Sequence, residues 1–239
     1  MCPSPSQTSP PLQLQGPKSL DVMKLLIGPE IEDLKYFHLM HTDMAGTPVV
    51  ISRTGWSSER GYEIYLQDSS CGDDLWELIM RAGETFGIRP AAPNTIRRIG
   101  GGMLSLGADM GLTENLFELG MERLVDRDSD IDYVGKDALK RIKAEGVSRK
   151  MVVVEMDGDA MPGPNGGPWD VMADGKKIGN MTSGVYSPRL MKNIGLAIID
   201  IAHSDVGTVL SCEDPAGTRA AVIVEMPFYD PKKAIANAE

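Results

Sequence analysis

Apolar and polar positions follow two regimes along this chain. From about residue 14 to residue 147, stretches of helical spacing alternate with strand-like runs, whereas from Lys150 to about Met226 helical spacing vanishes and short β-rich runs alternate with turns. In the first regime Leu20, Met23 and Leu26 share one face of a helix over 19–27, with Ser19 available as N-cap and Gly28-Pro29 as the stop. Runs at 36–41 and 49–53 read as strands joined by the turn-forming residues 43–48, and 62–66 reads as a third strand. Leu75, Leu78, Ile79, Ala82 and Phe86 recur at helical spacing behind acidic residues, which predicts a long helix over 73–86 on an antiparallel sheet. Further helices are expected at about 93–104 and at 135–144. In the latter Ala138, Leu139 and Ile142 pack, Lys136, Lys140, Arg141 and Lys143 stay solvated, and Gly146 closes the end.

The second regime contains six strand-like runs, at 151–156, 169–172, 177–181, 194–201, 208–212 and 219–225. Asp174-Gly175 and the residues 214–217 supply turn chemistry between them, and six short strands most economically close into a small barrel or sandwich. Residues 1–13 are rich in Pro, Ser and Gln and have no period that buries a face, so an irregular segment is expected there. The organisation read from the pattern is therefore α+β: an irregular segment 1–13, an antiparallel sheet with packed helices over 14–147, and a small all-β domain over 148–239.

Composition narrows the function classes. At 42% hydrophobic content the chain has enough apolar surface to build real cores. The formal charge is −10, from 34 acidic against 24 basic residues, with no basic cluster dense enough to track a phosphate backbone, so nucleic acid is not an expected partner. No apolar run approaches a membrane span, and Met1-Cys2-Pro3-Ser4 lacks the basic and apolar regions of a signal peptide, so a cytoplasmic protein without a membrane partner is expected. Cys2, Cys71 and Cys212 are odd in number and widely spaced, which suits reduced thiols. His38, His41 and His203 are too scattered for a metal site; in a strand over 36–41 the first two would lie on opposite faces, and no metal is expected.

The stretch 53–66 carries the most chemistry. In an extended segment 62–66, Glu63 and Tyr65 share one face and Tyr62, Ile64 and Leu66 the other. An acid and an aromatic ring then point into one space, and Trp56, across the loop, can supply a second wall. That pairing suits a pterin, whose amino and ring N–H groups form a two-donor edge for a carboxylate while its flat ring stacks on aromatic groups. On the residues alone, a solvated strand residue at Glu63 with edge packing at Tyr65 and Trp56 is the plainer reading.

The stretch is very similar to a pattern of the glycine cleavage T protein family, Gly-aromatic-Thr/Ser-Gly-Glu-x-Gly-aromatic-Glu-Ile, with Ser58 standing where that pattern has its second glycine. The resemblance runs from about Leu14 to Lys233. Leu14-Gln15-Gly16-Pro17 resembles the family's helix start, and Arg98-Ile99-Gly100-Gly101-Gly102 resembles its Arg-x-Glu-Ala-Gly helix with Gly100 in place of the glutamate. Gly107-Ala108-Asp109-Met110 follows at the expected distance. Tyr133-Val134-Gly135-Lys136-Asp137-Ala138-Leu139 matches a further element, and Thr182-Ser183-Gly184 with Ser187-Pro188 matches the terminal barrel. Each motif is weak alone; their order over two domains is a strong signal.

The resemblance implies a partial T protein-like folate-binding region followed by a β-barrel, and a tetrahydrofolate-dependent one-carbon transferase. It implies Glu63 as the carboxylate that holds the pterin, Trp56 and Tyr65 as lining of the folate and substrate site, and Arg98 as a further site residue with either a carboxylate-neutralising or a packing role. Within the family, Arg97-Arg98 and the ending Pro227-Phe228-Tyr229-Asp230-Pro231-Lys232-Lys233 look more like the dimethylsulfoniopropionate demethylases. An arginine and a tyrosine that T proteins use fall at Asn94 and Lys233. The implied partners are tetrahydrofolate as methyl acceptor and a small-molecule one-carbon donor; a lipoyl carrier protein enters only on the aminomethyltransferase reading, and a homodimer is compatible with either. The family's chain extends well upstream of Leu14, where it supplies part of the folate pocket and the acid associated with transfer, so no catalytic residue is assigned. A noncatalytic folate-binding protein and an inactive fragment are the alternatives.

Overall fold

The computed structural model describes residues 11–92, 94–126 and 129–237. Two compact units divide the chain, Met1–Asn94 with Lys232–Glu239 and Thr95–Pro231.

The first unit is built from β1 (Leu12–Gln15), α1 (Ser19–Ile27), β2 (Leu39–Met44), β3 (Thr47–Ser52), β4 (Gly61–Leu66) and α2 (Gly72–Gly83). Its sheet has the order β1-β4-β3-β2 with every neighbour antiparallel. One face carries Leu14, Met44, Val49, Ile51, Tyr62 and Ile64 into a core with Val22 and Met23 of α1 and Leu75 and Ile79 of α2. Because strand side chains alternate, the opposite face receives Gln13, Ser52, Glu63 and Tyr65.

Local chemistry moves several expected boundaries. β1 starts at Leu12, inside the segment expected to be irregular, because Leu12-Gln13-Leu14-Gln15 alternates and pairs with β4 from Ile64 to Gly61. β2 starts at Leu39, not at residue 36. Phe37 sits at φ 61 and donates to Arg53 O, and His38 N donates to Lys35 O, so this stretch is folded back rather than extended. His38 therefore precedes the strand, so it does not share an alternating strand with His41. The β2–β3 turn tightens to Ala45-Gly46, both at positive φ, with Gly46 N bonded to Asp43 Oδ1 at 2.6 Å. α1 has the expected span, but Ser19 is not its cap. That hydroxyl is buried and donates to Arg60 O at 3.1 Å, which fastens the helix start to the residue just before β4 instead. α2 ends at Gly83 and continues only as a 3₁₀ turn over Glu84–Phe86, which Gly87 closes at φ 72.

The second unit holds α3 (Thr95–Gly100), α4 (Lys136–Glu145) and six strands, β5 (Arg149–Met156), β6 (Trp169–Ala173), β7 (Lys176–Ser187), β8 (Lys192–Asp200), β9 (Val209–Asp214) and β10 (Gly217–Val224). The strands close into a barrel of order β10-β5-β8-β7-β6-β9. Val152, Val154, Met181, Ala197, Ile199, Cys212 and Ile223 fill its interior. Met151, Val153, Ile194, Leu196 and Ile198 belong to a second cluster with Ile99, Leu104 and Leu119. β5 and β8 are thus buried on both faces, and this is why 151–154 and 194–199 read as nearly continuous apolar runs. The change of character at 147/148 marks the onset of the barrel strands. The compact units divide earlier, at 94/95, because Ile99, Leu104 and Leu119 pack with the barrel.

α3 is shorter than the stretch expected over 93–104, and Pro93 itself lies outside the described residues. Its end is a glycine stop: Gly102 takes φ 67, and Met103 N returns to Arg98 O at 2.8 Å. Gly100 has a packing reason as well, since a Cβ there would lie 2.5 Å from Cε1 of Tyr229. The Tyr229 hydroxyl donates to Arg97 O at 3.4 Å, and the Arg189 guanidinium lies 4.4 Å from the centre of its ring.

Cys71 and Cys212 are free thiols, and Cys2 lies outside the described residues. Burial in the barrel, reinforced by the charge of Glu213, pushes the Cys212 thiol up to about 11 from its ordinary 9.0. Stability from keeping this thiol protonated is therefore fully present below pH 9 and is lost as pH rises through about 11. Alkylation of the native protein near pH 8, followed by peptide mass spectrometry, is expected to label Cys71 and spare Cys212 until the barrel is unfolded.

Candidate functional site

β4 presents Glu63 and Tyr65 on the sheet face opposite the core. Glu63 stands between Gln13 of β1 and Ser52 of β3 in the register. Its Oε1 accepts from Gln13 Nε2 at 2.9 Å, and its Oε2 accepts from Thr54 Oγ1 at 2.5 Å and from the Tyr65 hydroxyl at 3.2 Å. Thr54 has one proton to give, and a carboxylate only accepts, so the close contact between Ser52 Oγ and Thr54 Oγ1 runs with Ser52 as donor. Three side chains, from β1, from the β3–β4 loop and from β4 itself, therefore aim N–H or O–H groups at one carboxylate. Burial, then the charge of Glu63, then the hydrogen bond to it raise the Tyr65 hydroxyl above its ordinary value, so Tyr65 stays a donor.

The loop between β3 and β4 is held from below by Gln15. Its amide donates to Thr54 O at 3.2 Å and Tyr62 O at 3.5 Å, and its carbonyl accepts from Ser57 Oγ at 2.7 Å. A Cβ on Gly55 or Gly61 would overlap that amide, which accounts for both glycines of the motif. Ser58, where the family pattern has glycine, adopts φ 58, a left-handed conformation that costs a non-glycine residue about 1–2 kcal/mol. Part of that cost is recovered because serine loses less freedom on folding. Ser58→Gly is expected to stabilise the first unit by about 0.5–1 kcal/mol, read as an upward shift in its urea midpoint.

Of the residues singled out from sequence, the structure brings Glu63 and Tyr65 together. Trp56 is half-buried on the loop, and among the described residues no hydrogen bond or ring contact joins it to either of them. Arg98 belongs to the second unit and is spent on its own neighbours. Nη1 donates to Asp109 Oδ2 at 2.5 Å and to Met103 O at 3.3 Å, and Nη2 donates to Ser183 Oγ at 2.7 Å. Asp109 Oδ1 accepts from Ser183 Oγ at 2.5 Å and Thr182 Oγ1 at 2.7 Å, and its Oδ2 also takes Ser105 N at 2.9 Å. The side chains of Arg98 and Asp109 are 5% and 0% exposed, so two neighbouring motifs and a third more than 70 residues further on meet in one buried, hydrogen-bonded knot. Sequence reasoning missed Gln13 and Thr54 as partners of Glu63. The alternation over 12–15 was the available signal for Gln13, and Thr54 had none beyond its place in the motif.

Among the described residues no group of His, Cys, Asp and Glu could hold a metal ion, and no helix is long and apolar enough to cross a membrane.

An antiparallel sheet with helices on one face and a polar, carboxylate-bearing opposite face, followed in the chain by a six-stranded barrel, defines a two-part α+β protein. Comparison with known proteins agrees. Residues 3–129 match the GCVT N-terminal domain, and residues 149–230 match the glycine cleavage T-protein C-terminal barrel domain. The chain belongs to the glycine cleavage T-protein family. It is 32% identical over 215 residues to dimethylsulfoniopropionate demethylase DmdA of Ruegeria pomeroyi, spanning 90% of this chain and 58% of that one. It is 35% identical over 222 residues to an aminomethyltransferase of Caldanaerobacter subterraneus, spanning 91% of this chain and 58% of the relative. The crystal structure of the glycine cleavage system aminomethyltransferase T from Bartonella henselae shares the fold, with a TM-score of 0.75 at 20% identity over 91% of this chain and 58% of that one. The chain thus spans just under three-fifths of the length of these relatives.

Proposed function

We propose that this chain forms part of a tetrahydrofolate-dependent one-carbon transferase, and that the group it handles is a methyl taken from dimethylsulfoniopropionate. The observation that supports this is the Glu63 carboxylate, held by Gln13 and Thr54 on the outer face of the sheet, at the motif position that the resemblance assigns to the pterin. The residues fit such a group: Oε1 has a lone pair to spare, and the ring of Tyr65 lies beside it, 38% exposed. When bound, tetrahydrofolate would supply a nucleophilic nitrogen that forms the new N–CH3 bond as the S–CH3 bond breaks, with the sulfonium leaving as a neutral thioether and the nitrogen's proton passing to solvent. Glu63 fixes the pterin edge, while Tyr65 and Trp56 offer ring faces, which attract a sulfonium. The rate then comes mainly from alignment of two bound reactants. The demethylase is favoured over the aminomethyltransferase because Asn94 and Lys233 stand where the resemblance puts the T proteins' substrate-site arginine and carboxy-terminal tyrosine. Donor assays separate the two: the demethylase reading expects turnover of dimethylsulfoniopropionate, and the other needs a loaded lipoyl carrier protein.

The direct test is calorimetric titration with tetrahydrofolate. Glu63→Gln removes the charge but keeps the shape and is expected to weaken binding about 10- to 100-fold, the scale of one or two hydrogen bonds to a charged group. Unchanged affinity in a variant with an unchanged unfolding midpoint would remove Glu63 from the site.

A further inference from the structure

The Glu63 carboxylate is more crowded than a two-donor ligand allows. A carboxylate offers about four lone-pair positions, two on each oxygen. Gln13 occupies one on Oε1, whereas Thr54 and Tyr65 take both on Oε2. A ligand edge that donates to both oxygens at once finds a place on Oε1 and none on Oε2.

One of the two donors on Oε2 must leave, and they are not equivalent. Thr54 is the closer, at 2.5 Å, and its hydroxyl is oriented by Ser52 behind it. Tyr65 is at 3.2 Å, comes from the same strand two residues on, and is 38% exposed, so its ring has room to turn. Gln13 touches only Oε1 and need not move.

We propose that the Tyr65 hydroxyl is a displaceable cap on Glu63, which occupies in the free protein the position on Oε2 that a two-donor ligand edge takes over. The proposal rests on the reading of Glu63 as the pterin-binding carboxylate. Gln13 and Thr54 are positioning residues that keep the carboxylate in its plane throughout. Tyr65 keeps Oε2 satisfied until the ligand arrives, and its release couples seating of the donor edge to freedom of the Tyr65 ring. A ligand with a single donor uses the spare position on Oε1 and leaves the cap in place, so Tyr65 affects the two classes of ligand differently.

The experiment is a set of calorimetric titrations of the full chain with tetrahydrofolate and with a 2-desamino analogue, which lacks one of the two donors. Tyr65→Phe removes the competing hydroxyl and retains the ring. It is expected to tighten tetrahydrofolate about three- to ten-fold, the worth of one modest hydrogen bond, and to leave the analogue unchanged. In a Thr54→Val background Oε2 has a position to spare, so Tyr65→Phe should then gain nothing. Equal or weaker binding of tetrahydrofolate by Tyr65→Phe, or the same gain for both ligands, overturns the cap. Should Glu63→Gln still weaken binding in that case, the pterin reading stands and the cap alone falls. If Glu63→Gln binds as well as the unaltered chain, or the unaltered chain binds nothing, both fall.

Discussion

Asp109→Ala is expected to destabilise the second unit by about 3–5 kcal/mol, the cost of leaving a buried charge without its partner. The substitution keeps the Arg98 guanidinium almost fully buried with its counter-charge gone. It also strips Ser183 of the acceptor for its hydroxyl proton and Ser105 of the acceptor for its N–H, and leaves Thr182 only the longer bond to Leu196 O at 3.2 Å. Arg98→Ala is expected to cost a similar amount, because Asp109 would then be the uncompensated charge. An Arg98→Met, Asp109→Leu pair should recover most of the loss, since an apolar pair of similar volume need not be desolvated at a penalty. Urea unfolding followed by amide hydrogen exchange in β7 and β8 reads all three, because exchange localises the change to this unit. A loss below about 1 kcal/mol for Asp109→Ala would mean that the ion pair is hydrated and weak.

The second large effect belongs to Gly179. It pairs with Ile199 across β7 and β8, and a Cβ there would overlap the carbonyl oxygen of Ile198 and lie 2.6 Å from Cα of Ile199. Both obstacles are backbone, which cannot swing aside as a side-chain tip can. Gly179→Ala is therefore expected to cost about 3 kcal/mol and to raise exchange along both strands. Gly175→Ala serves as the control. Its φ of 73 disfavours a side chain, but nothing lies within 4 Å of the added methyl, so a cost of only about 1 kcal/mol is expected. A matching cost at both positions would show that backbone conformation, and not space, decides the barrel glycines.

The elements most legible in the sequence are those whose burial is one-sided or continuous. α1 and the Glu63/Tyr65 alternation of β4 follow from simple periodicity, and β5 and β8 from unbroken apolar runs. Periodicity alone places β7 at 177–181, yet the strand continues to Ser187. Its middle, Thr182-Ser183-Gly184, is polar because it serves the Arg98 and Asp109 pair, so strand periodicity breaks where the strand has a second task. The same cause hid the roles of Asp109 and Ser183, whose meaning appears only when residues more than 70 positions apart are brought together. Ser19 misled for the opposite reason. It has the chemistry of a cap, but a nearby carbonyl on the strand side competes for its hydroxyl. At the candidate site, the carboxylate and its neighbouring ring could be read from the chain, whereas the crowding of donors around Oε2 could not, because it depends on Thr54 reaching across from the loop.

The bare backbone at Gly100 and the ring of Tyr229 form a lock and key within one chain: the absent side chain is the keyhole. Position 100 cannot gain a side chain while that ring stays in place. A glutamate placed at 100 has to evict the ring from beside Arg189, so sequences with the acid at 100 should carry a small residue at 229.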